Sequence, residues 1–154
     1  MKLIAHRGNI DGPNPSEENK PEYIEAAIAQ GYDVEIDIRY AALAQRFYLG
    51  HDSSTYGVTQ YWLAQYMDNL WIHCKNIEAL DFFVTKTGGY NYFWHQEDDF
   101  TLTSKKYIWN YPGKTYTSNS VIVMPEWNTP MESFSDLKAY NCHGICSDYV
   151  GRLV

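Results

Sequence analysis

Short apolar runs alternate with helix-like segments along the whole chain. Leu3, Ile4 and Ala5 lead into His6, Arg7 and Gly8, which reads as a buried strand ending on polar residues. Residues 20–31 predict a helix, with Pro21 in its first turn, Ile24, Ala27 and Ile28 on one face, and Gly31 at its end. Residues 32–40 alternate strictly: Val34, Ile36 and Ile38 against Glu35, Asp37 and Arg39, a second strand. Residues 46–52 predict a third strand, 59–67 a short helix, 70–75 a fourth strand and 76–88 a helix closed by Gly88. Strands five to seven fall at 90–96, 105–113 and 120–127. A helix over 131–140 and an eighth strand over 143–150 complete the chain.

Strand–helix alternation predicts parallel βα units, and eight strands in that order predict closure. The expected fold is therefore α/β, a compact (β/α)8 TIM-type barrel with reduced outer helices, in one domain over residues 1–154. The 154 residues leave about 19 per unit (154/8), whereas such barrels usually take about 200 residues or more. Several outer helices must be short or missing, and residues 98–120 predict none. An open α/β sheet with fewer strands is the alternative.

Composition narrows the function. Apolar residues make up 45% of the chain, enough for a full core, and the formal net charge is −7. An acidic surface disfavours non-specific binding to nucleic acid or anionic membranes. No stretch of ~18 apolar residues predicts a membrane span, and the start of the chain lacks a signal-peptide layout, so a cytoplasmic protein is expected. Cys74, Cys142 and Cys146 lack the paired spacing of a zinc ribbon and are expected as reduced thiols. Aromatic residues reach 16%, which suits either a filled barrel or a ring-stacking pocket.

The polar residues fall where chemistry would be placed. Glu35 and Asp37 share a strand face. Turned inward, each costs several kcal/mol unless paired or metal-bound; turned outward, they belong to a one-sided surface strand. The other strands favour the inward reading. His6, His51, His73 and His95 all sit at the C-terminal ends of predicted strands, with Asp52, Lys75 and Glu126 at the same level. In parallel α/β folds that rim binds ligands. The set suggests a cation on the carboxylates, histidines for proton transfer, and Arg7 with Lys75 for an anion. Trp94, Trp109 and Trp127 lie near strand ends and suit either ordinary packing or stacking on a sugar or glycerol face.

These motifs resemble the glycerophosphodiester phosphodiesterases, within the superfamily that includes phosphatidylinositol phospholipases C. The carriers are His-Arg-Gly at 6–8, Glu-Glu-Asn at 17–19, Val-Glu-Ile-Asp-Ile at 34–38, and Gly-His-Asp at 50–52. The segment 143–150 is similar to the family's closing strand. The resemblance implies metal-dependent hydrolysis of a small-molecule phosphodiester. It implies His6 and His51 as the acid–base pair, Arg7 and Lys75 as phosphate contacts, and Glu35 and Asp37 as ligands of a divalent metal ion (Mg, Ca or Mn). Gly8 would let the backbone approach the ligand.

One departure alters the expected site. The family carries Glu-x-Lys on its fourth strand, whereas this chain has His73-Cys74-Lys75. His73 is therefore expected as the third metal ligand, with Glu126 or Asp148 as the alternative. The loops that recognise glycerol in the family have no clear counterpart over residues 76–140. Two other readings stay open: a non-catalytic binding module for a phosphorylated metabolite, and a different metal-dependent hydrolase with His73 and His95 as ligands.

Overall fold

In the computed structural model, which describes residues 1–86 and 88–154, the alternating patterns form one curled sheet. Its strands are β1 (Lys2–His6), β2 (Asp33–Ala41), β3 (Arg46–Leu49), β4 (Tyr56–Val58), β5 (Leu70–Cys74), β6 (Asn91–Phe93), β7 (Phe100–Leu102), β8 (Ile108–Asn110), β9 (Ser120–Val123) and β10 (Gly144–Ser147). The helices are α1 (Pro21–Ala29), α2 (Gln60–Gln65) and α3 (Ile77–Thr85). Parallel pairing runs in the order β6-β5-β2-β1-β10-β9-β8. β3, β4 and β7 attach antiparallel.

Alternation assigns the two faces of this sheet. Val34, Ile36, Ile38 and Ile72 point outward and pack with Ile24 and Ala27 of α1, Leu63 of α2 and Phe83 of α3. Ile122 and Ile145 point outward under Phe134 and Leu137. The inner face holds Ile4, Trp71, Phe93, Trp109, Val121, Val123 and Cys146. Much of the aromatic content is thereby explained. The centroids of Phe93 and Trp109 lie 4.6 Å apart, and those of Trp71 and Trp109 5.9 Å apart, so large rings fill the space the sheet curls around.

The helices start where local chemistry allows. Pro21 occupies the first turn of α1, where no backbone donor is lost. The Thr59 and Asn76 side chains accept from Trp62 N at 3.1 Å and Ala79 N at 3.1 Å, capping α2 and α3.

The structure corrects the expected (β/α)8 TIM-type barrel. It is a mixed, curled sheet forming a half-barrel, with too few helices to alternate with its strands. Two causes are physical. Residues 46–52 read as another parallel strand, but Ala42–Gln45 form only a tight turn, with Gln45 N donating to Ala42 O at 3.2 Å. A link that short permits only an antiparallel neighbour, so β3 folds back on β2. Residues 94–119 carry turn-forming Ser, Thr, Asn, Gly and Pro and give the β7–β8 hairpin and a loop. Among the described residues β6 and β8 do not pair; Ser104, between β7 and β8, bonds to β6, with Ser104 N donating to Tyr92 O at 2.9 Å and Tyr92 N donating to Ser104 Oγ at 3.0 Å.

Smaller differences follow the same logic. β4 and β7 are three-residue strands outside the predicted ones. The expected helix over 131–140 is a 3₁₀ segment, Met131–Ala139. Ser133, Ser135 and Asp136 are weak helix formers. α3 stops at Thr85, before Gly88, and Thr87 lies outside the described residues. Among the described residues, no helix is long and apolar enough to cross a membrane.

Candidate functional site

Parallel register brings the inward polar residues to one level. His6 of β1 lies beside Glu35 of β2, and Asp37 of β2 beside His73 of β5. They meet at the C-terminal mouth of the half-barrel, where all but Asp37 line a cavity of about 430 Å³ together with His51 and Asp148 among others. Glu35 and Asp37 are almost fully buried, at 2% and 1% exposure.

Donor atoms of Glu35, Asp37 and His73 lie within 4.8 Å of one another. His73 Nε2 donates to the His95 carbonyl at 2.7 Å, and its ring stacks on Phe93. A carbonyl only accepts, so Nε2 carries hydrogen and Nδ1 is the atom facing the carboxylates. Nδ1 is 3.6 Å from Glu35 Oε1 and 3.4 Å from Asp37 Oδ1. Among the described residues, Glu35 Oε2 and Asp37 Oδ1 are buried without a hydrogen-bond partner. Three electron-rich atoms converging on one point call for a cation, either a proton on His73 or a metal ion. With the proton alone, burial pulls the His73 pKa down, but the nearby Asp37 and Glu35 carboxylates outweigh that and push it up to about 9.

Asp37 is clamped from the side opposite His73. Asn19 Nδ2 donates to Asp37 Oδ2 at 3.0 Å, and Asp37 N donates to Asn19 Oδ1 at 2.9 Å. Arg7 Nε stands 2.9 Å from Asp37 Oδ2. Burial raises the Asp37 pKa, yet the His73 contact and the Arg7 charge outweigh it and hold this carboxyl well below the usual range.

The two histidines of the expected acid–base pair have the same local arrangement in different surroundings. His6 Nδ1 donates to Asp148 Oδ1 at 2.8 Å, which leaves Nε2 3.9 Å from Glu35 Oε2. Burial lowers the His6 pKa, but the Asp148 hydrogen bond and the Glu35 charge outweigh it, so the net shift is upward. Burial likewise opposes the Asp148 charge, and the His6 bond overcomes it, lowering the Asp148 pKa. His51 Nδ1 lies 2.7 Å from Asp52 Oδ1 at the exposed rim. Both imidazoles line one cavity, each with a carboxylate on Nδ1, so Nε2 is the atom left for other work.

Other expected residues are placed differently. Arg7 lines the cavity, but its guanidinium is held between Asp37 and Glu18, with Nη1 donating to Glu18 Oε2 at 3.1 Å. Lys75 Nζ is 3.8 Å from Asp37 Oδ1 and does not line the cavity. Gly8 has φ +92, and a Cβ there would lie 2.7 Å from Tyr23 Cδ1. Its lack of a side chain serves a left-handed turn packed on Tyr23. His95 lines the cavity, yet its Nε2 donates to Asp98 O at 2.5 Å, and it is outside the Glu35–Asp37–His73 cluster. Trp109 and Trp127 line the cavity, and Trp94 does not.

Three residues enter through contacts distant in sequence. Asp148 holds His6 across 142 positions. Asn9 Nδ2 donates both to Glu18 Oε1 at 2.9 Å and to Asp148 Oδ1 at 2.8 Å, tying the loop after β1 to β10. Glu126 accepts from Ser147 Oγ at 2.9 Å and Asp148 N at 2.8 Å, and burial raises its pKa. It braces the Asp148 backbone outside the Glu35–Asp37–His73 cluster. Comparison of the chain with family models, with curated proteins and with solved structures returns no match in any of the three.

Proposed function

We propose that the protein hydrolyses a small-molecule phosphodiester, with a divalent metal ion on Glu35, Asp37 and His73 and proton transfer by His6 and His51. The observation that carries this reading is the convergence of carboxylate oxygens of Glu35 and Asp37 on the His73 Nδ1, beside a cavity shared by two histidines that each carry a carboxylate on Nδ1. The donor set suits a divalent ion, because two carboxylates supply charge and the His95 carbonyl already fixes the His73 tautomer. When bound, such an ion offsets negative charge developing on the phosphoryl oxygens.

The side chains supply the remaining steps. One histidine takes a proton from the attacking oxygen through Nε2. The phosphorus–oxygen ester bond breaks, and the other histidine returns a proton to the leaving alkoxide. Asp148 keeps the His6 ring oriented, and the carboxylate on each Nδ1 stabilises the imidazolium that forms. Arg7 lines the cavity with its guanidinium shared between Asp37 and Glu18, and would contact the phosphate only by releasing one of them. The order of the four sequence motifs, similar to that of the glycerophosphodiester phosphodiesterases, supports the same chemistry.

The test uses bis(p-nitrophenyl) phosphate and a glycerophosphodiester with manganese, magnesium or calcium, each with and without chelator. Metal-dependent release of the alcohol is expected, and a cyclic product would identify a substrate hydroxyl as nucleophile in place of water. Phosphate binding without turnover under every metal would leave a binding module and exclude the enzyme.

A further inference from the structure

Arg39 is the next polar residue along β2 after Glu35 and Asp37, yet it does not line the cavity. Its guanidinium faces the backbone of residues 50–55 instead. Nη1 donates to the carbonyls of Gly50 and Ser53, the second at 3.5 Å, and Nη2 donates to the carbonyl of His51 at 2.8 Å. Three carbonyls converging on one point repel one another unless a cation stands between them. The loop can turn that sharply because Gly50 has φ +146, where a Cβ would fall 2.2 Å from Ser53 O. Its ends are tied to the strands: Gly50 N donates to Asp37 O at 3.1 Å, and Thr55 N to Leu49 O at 3.0 Å.

The His51 side chain has little packing of its own. It is 44% exposed, and its Asp52 partner is 93% exposed. An exposed ion pair holds a ring only weakly, so the position of this imidazole depends on its backbone. Arg39 grips that backbone at residues 50, 51 and 53 from a strand that also carries Glu35 and Asp37.

We propose that Arg39 is the positioning residue for His51, fixing the loop so that the imidazole stays on the wall of the cavity that Glu35 and His73 also line. The inference rests on the reading of His51 as a proton-transfer group. Arg39 touches no substrate and acts through the three carbonyls. Its removal should lower kcat and leave KM and metal affinity unchanged.

The test compares Arg39→Met and Arg39→Lys in the wild-type and His51→Ala backgrounds, using an alkyl phosphodiester with a poor leaving group. Arg39→Met should lower kcat by up to about 100-fold, the scale of a misplacement near 1 Å. Arg39→Lys keeps the charge and should recover part of the loss. With His51 already removed, neither change should cost more, because residues acting as a unit are not additive. Hydrogen exchange over residues 50–55 should quicken in Arg39→Met while the thermal midpoint stays close to wild type. Unchanged kcat, or an equal loss with and without His51, overturns the positioning role. If His51→Ala itself turns over normally, the proton-transfer reading of His51 fails and takes the proposal with it. Hydrogen exchange then still reports whether Arg39 holds the loop.

Discussion

The two flanks of the curled sheet solve different problems. On the β1–β2–β5 flank the inner face carries His6, Glu35, Asp37 and His73, and the outer face is covered by α1 and α3. On the β8–β9 flank the inner face is Trp109, Val121 and Val123, and no α-helix follows either strand among the described residues. Buried charges must be held at fixed distances from their partners, or their desolvation is not repaid. The apolar packing of Val34, Ile36, Ile38 and Ile72 under the helices holds those strands in place. An apolar wall has no such requirement, and bulky rings can fill it. The four sequence motifs, residues 6–52, lie on the helix-covered flank and its loops.

Asp37→Asn should break the first flank most severely. The amide leaves the charges of Arg7, His73 and Lys75 without their shared partner. Breaking a buried ion pair from one side costs about 3–5 kcal/mol. Hydrolysis and metal binding should both be lost, as read by calorimetry and a thermal melt. Glu35→Gln should also abolish activity with a smaller loss of stability, since it removes one of two neighbouring negative charges. If Asp37→Asn keeps full activity and binds metal normally, the carboxylate cluster is structural only.

His6 and His51 sharpen the contrast within the site. Each alanine variant should lose about 10²–10⁴-fold in turnover. Their stabilities should diverge: His6→Ala strands Asp148 at a largely buried position, whereas His51→Ala removes an exposed ring. A lower melting temperature is therefore expected for His6→Ala alone. A substrate with an acidic leaving group should rescue only the variant that lacks the general acid. Equal activity of either variant with wild type on a poor leaving group removes that histidine from the chemistry.

The tryptophans probe the second flank. Trp109 is buried among Trp71 and Phe93, so Trp109→Ala should cost about 3–5 kcal/mol. Metal affinity should hardly change. Trp127 is 64% exposed on the cavity wall, and Trp127→Ala should change stability by less than about 0.5 kcal/mol. Denaturant midpoints measured alongside metal titration check both. A large loss of metal affinity in Trp109→Ala would mean that the two flanks are energetically one.

Much of the helix-covered flank was legible in the sequence because its cues are local. The alternation from Val34 to Ile38 places Glu35 and Asp37 opposite the apolar residues, and Pro21 marks α1. Strand adjacency was legible only in part. The expected closure already put the strand over 143–150 beside the first, as β10 pairs with β1, but periodicity does not give the register, so Asp148 could not be matched to His6. The barrel expectation failed for a related reason: apolar runs such as 46–52 show that a strand exists, while its direction depends on the link before it. Arg39 left no motif at all, because its partners are backbone carbonyls.

The remaining effect concerns the pH dependence set by His73, and its sign can be worked out. In the metal-free protein its pKa is raised to about 9, after burial is outweighed by Asp37 and Glu35. The unfolded chain titrates near the ordinary value, about 6.5. The charged contact therefore stabilises the metal-free fold below about pH 6.5 and is lost as pH rises through about 9. A metal ion must displace this proton, because imidazole coordinates only when neutral. Metal affinity should rise with pH up to about 9, by roughly tenfold per pH unit if one proton is released. Calorimetry in two buffers of different ionisation enthalpy counts that proton. His73→Glu removes the proton competition at neutral pH and adds a hard oxygen, so preference should move from manganese toward calcium. A pH-independent affinity together with an unchanged metal preference would show that His73 only braces the carboxylates.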